Sequence, residues 1–153
     1  MNHIQYQAND VVVSSDKSLL QFGVIHRYLS EEAYWSKKIP GHTVRTAIEN
    51  SFCIGIYVAG NQVGFCRIIS DYATFGYLAD VFVLDGHRGK GLSKLMMKLI
   101  MELPWIRELR RFTLATVDAH GLYGQFGFVS PKFPDRLMEI TKPKMYESLQ
   151  SNS

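Results

Sequence analysis

Residues 77–93 narrow the available folds more than any other stretch of the chain: Tyr77-Leu78-Ala79-Asp80-Val81-Phe82-Val83-Leu84-Asp85-Gly86-His87-Arg88-Gly89-Lys90-Gly91-Leu92-Ser93. The first half is almost wholly apolar, which predicts a strand covered on both faces. A basic, glycine-containing turn follows directly. Leu92, Leu95, Met96, Leu99, Ile100 and Leu103 then recur at spacings of three and four, the apolar stripe of a helix that Pro104 ends. The leading amides of a helix have no internal partners, and glycine lets a ligand approach the backbone closely. The junction therefore suits phosphate.

The remaining elements follow from pattern and punctuation. Val11-Val12-Val13 predicts a first strand, ended by Ser14-Ser15-Asp16. Leu19, Leu20, Val24, Ile25 and Leu29 fall at near-helical spacing. Ser30 can cap a further turn opening Glu31-Glu32 and carrying Tyr34 and Trp35, broken by Pro40-Gly41. Residues 43–49 predict a third short helix. Residues 52–58 and 63–69 are β-prone and joined by Ala59-Gly60-Asn61-Gln62, a hairpin. Residues 112–117 predict a strand and 119–126 a short helix capped by Gly127. Residues 128–129 and 137–140 read as terminal strands, and the polar tail from Pro143 as frayed. With no repeat and no linker, residues 1–153 form one α+β, mixed-sheet domain.

The 153 residues carry a net charge of +3, with 46% hydrophobic and 20% charged side chains, ordinary for a globular protein. Nucleic-acid binding calls for a basic stripe, whereas the densest group, Arg107, Arg110 and Arg111, is short and interrupted. No apolar run is long enough for a membrane span, and no signal peptide is visible. Cys53 and Cys66 sit in apolar strands and read as free buried thiols, and no metal-ligand spacing occurs. The cytosol is the expected compartment.

Two phosphate motifs are excluded. Gly86 to Ser93 lacks the spacing of a nucleotide P-loop, and Gly89-Lys90-Gly91 lacks the third glycine of a dinucleotide fingerprint. Arg88-Gly89-Lys90-Gly91-Leu92-Ser93 instead resembles the pyrophosphate loop of the GNAT (GCN5-related N-acetyltransferase) family, Gln/Arg-x-x-Gly-x-Gly/Ala, with Ser93 in place of the last small residue. Ala119-His120-Gly121-Leu122-Tyr123-Gly124-Gln125-Phe126-Gly127-Phe128 resembles that family's Ala-x-x-Leu-Tyr-x-x-x-Gly-Phe segment. Both occur in the family's order.

The resemblance implies a GNAT fold: a central, mostly antiparallel, twisted sheet of about six or seven strands with one splayed pair, flanked by about four helices. It implies acetyl-CoA as donor, with Arg88, Gly89, Lys90, Gly91, Leu92 and Ser93 at its phosphates. The backbone of Val81, Phe82 and Val83 would then meet the pantetheine and thioester, and a bulge is expected near Asp80 to Val83, since a strand cannot give the same bonds to a neighbour and to a ligand. Thr116 stands where the family often has asparagine at the pantetheine. Lys90 reads either as a phosphate contact or as surface, and Lys94 as surface.

Amine acetylation needs a base for the amine proton and an acid for the leaving thiolate. Tyr123 matches the family's acid, or is a packing tyrosine. Asp80, a carboxylate in an apolar strand, is the leading base or a structural acid. His120 is its rival, and Asp118 is either near the site or a helix cap. By the resemblance, Tyr28, Tyr34, Trp35, Asp71, Tyr72 and Phe75 wall the acceptor, and aromatics with an acid suit a cationic amine. The first reading is direct transfer to a small amine in a ternary complex, without metal and with a homodimer as an option. A protein or peptide acetyltransferase and a non-catalytic acyl-CoA sensor are the alternatives.

Overall fold

Alternation along the central hairpin sorts its side chains onto two faces. In β3 (Phe52–Val58) and β4 (Asn61–Ser70), Cys53 and Phe65 face one core, while Ile54, Ile56, Cys66 and Ile68 face another. The protein, a computed structural model describing residues 2–151, is thus layered on both sides of one sheet. β1 (Gln5–Ala8) and β2 (Val11–Ser14) extend the sheet on one side of the hairpin, β5 (Phe75–Val83) and β6 (Arg111–Leu114) on the other. The order is β1-β2-β3-β4-β5-β6, and among the described residues only the β5–β6 pair is parallel. A parallel neighbour requires a crossover. It is supplied by α3 (Leu92–Met101) and α4 (Pro104–Glu108).

The predicted stripe of α3 buries Leu92, Met96 and Ile100 on the Ile54/Ile68 face, with Leu103, Trp105 and Ile106. The opposite face carries α1 (Phe22–Arg27), which runs into a π-helical turn at Tyr28–Glu32, and α2 (Gly41–Glu49). Their Ile25, Leu29 and Val44 pack on Phe65 and Phe82. A π-turn leaves the regular hydrogen-bond ladder and often marks a functional segment.

Several expectations require correction. β1 is absent from the sequence reading because Gln5-Tyr6-Gln7 is polar, and it pairs only at the sheet's edge. The long first helix is split into a 3-10 turn at Lys17–Leu19, α1 and the π-turn. Ser30 caps nothing: its hydroxyl donates to the His26 carbonyl, one turn back. Pro104 ends α3 but also opens α4, where a missing N–H costs nothing. Residues 128–129 and 137–140 form no strand, because no neighbour offers them a ladder. The tail is helical, not frayed: α6 (Met145–Ser151) brings Tyr146 against the α1–α2 core.

Burial also sets an alkaline limit. It pushes the Cys53 thiol up to about 11 and the Tyr57 phenol up to about 12. Both groups hold their protons more tightly when folded, so stability is intact below their ordinary values of 9.0 and 10.0 and falls as pH rises through the folded ones. The expected result is a Tm steady from pH 7 to 8.5 that drops progressively between pH 9 and 11. A flat Tm over that range would contradict it.

Candidate active site

The β5–β6 ladder joins Phe75–Arg111 through Leu78–Leu114 and then stops, while β5 runs on to Val83. The two strands therefore diverge after Leu78. On its other side, β5 pairs Ala79 with Arg67 and Phe82 with Phe65, so Asp80 and Val81 stand opposite Cys66 alone. This is the expected bulge, and Asp80 takes φ of 55° within it. The Leu84 N–H donates to the Val63 carbonyl. By ladder alternation the polar groups of Val83, and of Val81, then point away from β4 and into the divergence.

Two cavities fill that divergence. The larger, about 650 Å³, runs from the π-turn past Val81, Phe82 and Val83 to the glycine turn and α3, and ends at Leu122 and Tyr123. The smaller, about 360 Å³, lies between Arg67, Tyr77 and Asp80 on one side and Ala115, Thr116 and Val117 on the other. Tyr34, Trp35, Val81, Asp118, Ala119 and Tyr123 border both.

At the outer end of the larger cavity, Gly89 and Gly91 both adopt φ of 77°, which L side chains resist. A Cβ at Gly86, Gly89 or Gly91 would meet no atom within 4 Å, so the turn leaves open space for a ligand. The first turn of α3 carries no acidic side chain, and its first internal bond runs from the Leu95 N–H to the Gly91 carbonyl. The amides of Leu92, Ser93 and Lys94 lead that helix, and all three residues line the cavity. This cradle fits a pyrophosphate. Arg88 is partly committed elsewhere: its guanidinium donates to the Val83 carbonyl (2.9 Å) and the Tyr28 hydroxyl (3.1 Å) and pairs with Asp85 (2.6 Å). It ties the turn to β5 and to the π-turn, where Tyr28 stacks on Phe82 at 4.0 Å. Lys90 lies outside the lining, whereas Lys94, read as surface, borders it.

Asp80 is held from two sides. Its Oδ2 accepts from Arg67 Nε at 2.6 Å and its Oδ1 from Trp35 Nε1 at 2.8 Å, and the carboxylate is largely buried. Trp35 meets Tyr34 edge to face. Tyr123, on α5 (His120–Gly124), is buried, and burial pushes its phenol up to about 12. Thr116 Oγ1 accepts from the Ala119 N–H, fixing the entry to α5. Cys66 is fully buried with its thiol pushed well up, so it supplies no thiolate.

Tyr34, Trp35, Asp80 and Tyr123 are thus brought together with the β5 backbone, the glycine turn and Thr116. Other candidates lie elsewhere. His120 is exposed and borders neither cavity. Asp71 spends its carboxylate on its own loop, accepting from the N–H groups of Ala73, Thr74 and Phe75 and from the Thr74 hydroxyl. Tyr72 meets Trp105 edge to face, and neither Tyr72 nor Phe75 borders either cavity. Residues not singled out also reach the site. Arg67 neutralises Asp80, and Glu32 and His87 line the larger cavity. Of the two readings of Asp118, the structure places it at the site, bordering both cavities without capping α5. An arginine inside an apolar stretch of one strand, with an equally isolated aspartate in the next, was the available signal for Arg67.

Residues 49–130 match the acetyltransferase (GNAT) domain family. A curated candidate acetyltransferase of Gibberella zeae is 33% identical over 136 residues, 76% of this chain and 77% of that one. The crystal structure of a candidate GNAT acetyltransferase from Xanthomonas campestris pv. campestris superposes with a TM-score of 0.88 at 54% identity, covering 92% of this chain and 99% of its own. Glucosamine-6-phosphate N-acetyltransferase of Arabidopsis thaliana shares the fold, with a TM-score of 0.57 at 14% identity over 88% of this chain and 98% of its own. The chain belongs to the GNAT acetyltransferase family and is an acyltransferase.

Proposed function

We propose that this acetyltransferase moves the acetyl group of acetyl-CoA directly to a primary amine of a small molecule. The observation that carries the reading is the meeting of two unlike cavities at Val81 and Tyr123: one ends at a glycine-lined helix N-terminus, the other is walled by carboxylates and aromatics. Bound in the first, acetyl-CoA supplies an activated thioester. Gly89, Gly91 and the leading amides of α3 take its pyrophosphate, and the Val81 and Val83 amides polarise the thioester carbonyl. In the second, Tyr34, Trp35 and Asp118 attract a cationic amine. The bound ammonium gives its first proton to solvent water, and Asp80 or Asp118 accepts the second, directly or through a water, as the neutral amine attacks. The amine nitrogen bonds to the acyl carbon as the C–S bond breaks, and the Tyr123 hydroxyl hydrogen-bonds the departing sulfur. The absence of a thiolate at Cys66 favours this direct route over an acyl-cysteine. The small volume of the second cavity, about 360 Å³, favours a small acceptor over a polypeptide. Two free, buried cysteines fit a reducing compartment such as the cytosol.

Calorimetric titration with acetyl-CoA and with CoA tests the donor site. Micromolar binding is expected for the wild type, and a loss of at least about 100-fold in Gly91→Glu, which sets a carboxylate among the amides meant for phosphate. A folded wild type that binds neither ligand would refute the proposal. Thiol release across a panel of amines then identifies the acceptor.

A further inference from the structure

The loop between β4 and β5 lines neither cavity of the active site, yet it is tied down firmly. Asp71 accepts from the Ala73 and Thr74 N–H groups, and the Ser70 hydroxyl accepts from the Tyr72 N–H at 2.8 Å. The Thr74 carbonyl accepts from the Arg110 and Arg111 N–H groups, which anchors the loop at the start of β6. These bonds hold Tyr72 at φ of 62°, a left-handed backbone that a bulky side chain resists. So held, its ring is 50% exposed and stands against Trp105, with centroids 4.8 Å apart and planes at 60°. Phe52, at the start of β3, meets the same indole at 5.4 Å and 70°. The three rings, set at steep angles, line a separate cavity of about 650 Å³ that shares no lining residue with the other two.

We propose that this cavity is a second binding site, one for a small organic cation with a methylated ammonium head. Its charge has one sign. Glu108 lines it, and no lysine or arginine does. Glu108 forms no ion pair among the described residues, and it ends α4, where exposed carbonyls already make a carboxylate unfavourable without a cation. The neighbouring Arg107 turns away and donates from Nε to the Met101 carbonyl. Aromatic faces carry negative charge as well, and a cation over them is attracted. The chemistry also selects the kind of cation. A metal ion needs several oxygen ligands, and no group of His, Cys, Asp or Glu able to hold one occurs among the described residues. An unmethylated ammonium would exchange its water for ring faces and a single carboxylate, leaving N–H groups without acceptors. A methylated head has no such N–H groups to satisfy, and its methyl groups bury against the rings. Trp105 is 6% exposed, and its Nε1 has no hydrogen-bond partner among the described residues. A buried indole N–H ordinarily has an acceptor, and a hydroxyl on the ligand would supply one. The volume suits a free small molecule, and the tied loop sets Tyr72 in place before the ligand arrives.

Calorimetric titration of the full chain with choline chloride, against sodium chloride at equal ionic strength and without any acyl donor, tests this. A Kd of about 1 mM or tighter is expected. The uncharged isostere of choline, with a tert-butyl group in place of trimethylammonium, is expected to bind at least about tenfold more weakly, and so is ethanolamine in the part of its binding that depends on Tyr72. Tyr72→Asn removes the ring and suits the left-handed backbone, and Glu108→Gln removes the charge from an exposed position. Each is expected to raise the choline Kd at least about tenfold with an unchanged far-ultraviolet spectrum. Glu108→Gln decides the matter if Tyr72→Asn does not fold. Asp118→Asn, beside the active-site cavities, is expected to keep the choline Kd within about threefold, because it touches a different site. A folded wild type that binds no choline up to about 10 mM overturns the proposal. Equal binding of choline and its uncharged isostere does the same. So does choline binding that Asp118→Asn abolishes and Glu108→Gln spares, which would place the cation in the acceptor cavity.

Discussion

Tyr123→Phe is expected to lower kcat by about 10²- to 10³-fold and to leave the KM for acetyl-CoA within about threefold, the size of a lost general acid. The ring supplies packing and the hydroxyl supplies chemistry, and only the hydroxyl is removed. Phe keeps the edge-on contact with Phe128 and the burial of the ring, so folding should not change. Burial raises the phenol to about 12, so it carries its proton at every pH at which the protein is stable. That value lies well above a thiol's reference value of about 8.5, and full proton transfer to the leaving sulfur is uphill. What the hydroxyl offers is a hydrogen bond that strengthens as charge builds on sulfur, an interaction made mainly in the transition state. Hence kcat falls and KM does not. For the same reason, no basic limb below about pH 11 should belong to Tyr123, and any limb near pH 9 reports another group. Thiol release measured from pH 6 to 10 reads both effects. Full turnover by Tyr123→Phe would remove the residue from the mechanism and leave it a packing tyrosine.

The sheet was legible where a strand carries its own signal. The hairpin, the bulged β5 and the stripe of α3 are periodic and apolar, and burial on both faces follows from the run through residues 77–84, which Asp80 alone interrupts. The glycine turn was legible because its backbone requirement restricts residue choice: Gly89 and Gly91 both need positive φ. Elements defined by a neighbour were not. β1 is a polar strand that exists by pairing with β2, whereas residues 137–140 look like a strand and have no neighbour within the chain. The acceptor side was half legible for a related reason. Trp35 and Asp80 stand 45 positions apart and meet through tertiary packing, and Arg67 joins them from the strand beside β5. Asp71 resembled a site acid only because a loop that ties its own amides with a carboxylate uses the same residue types.

That Trp35–Asp80–Arg67 contact separates stability from chemistry, and this gives the second large effect. Asp80→Ala is expected to cost about 3 kcal/mol, the lower end for breaking a buried ion pair from one side. For a chain of this size that is a Tm lower by about 6–12 °C. Two losses combine: Arg67 keeps its charge in a largely buried position without its partner, and alanine at φ of 55° loses the tolerance for left-handed backbone that Asp and Asn share. Asp80→Asn should cost less, because an amide oxygen can still accept from Trp35 and the backbone conformation is kept. Arg67→Met with Asp80→Asn should recover most of the remaining deficit, since no unpaired charge is left behind. Activity should not follow stability. If Asp80 takes the amine's proton, Asp80→Asn and the double variant are both slow by about 10² or more, and the acid limb of the pH–rate profile disappears. If Asp80 only positions Trp35, the double variant regains turnover along with its Tm, and Asp118, the carboxylate that borders both cavities, becomes the base.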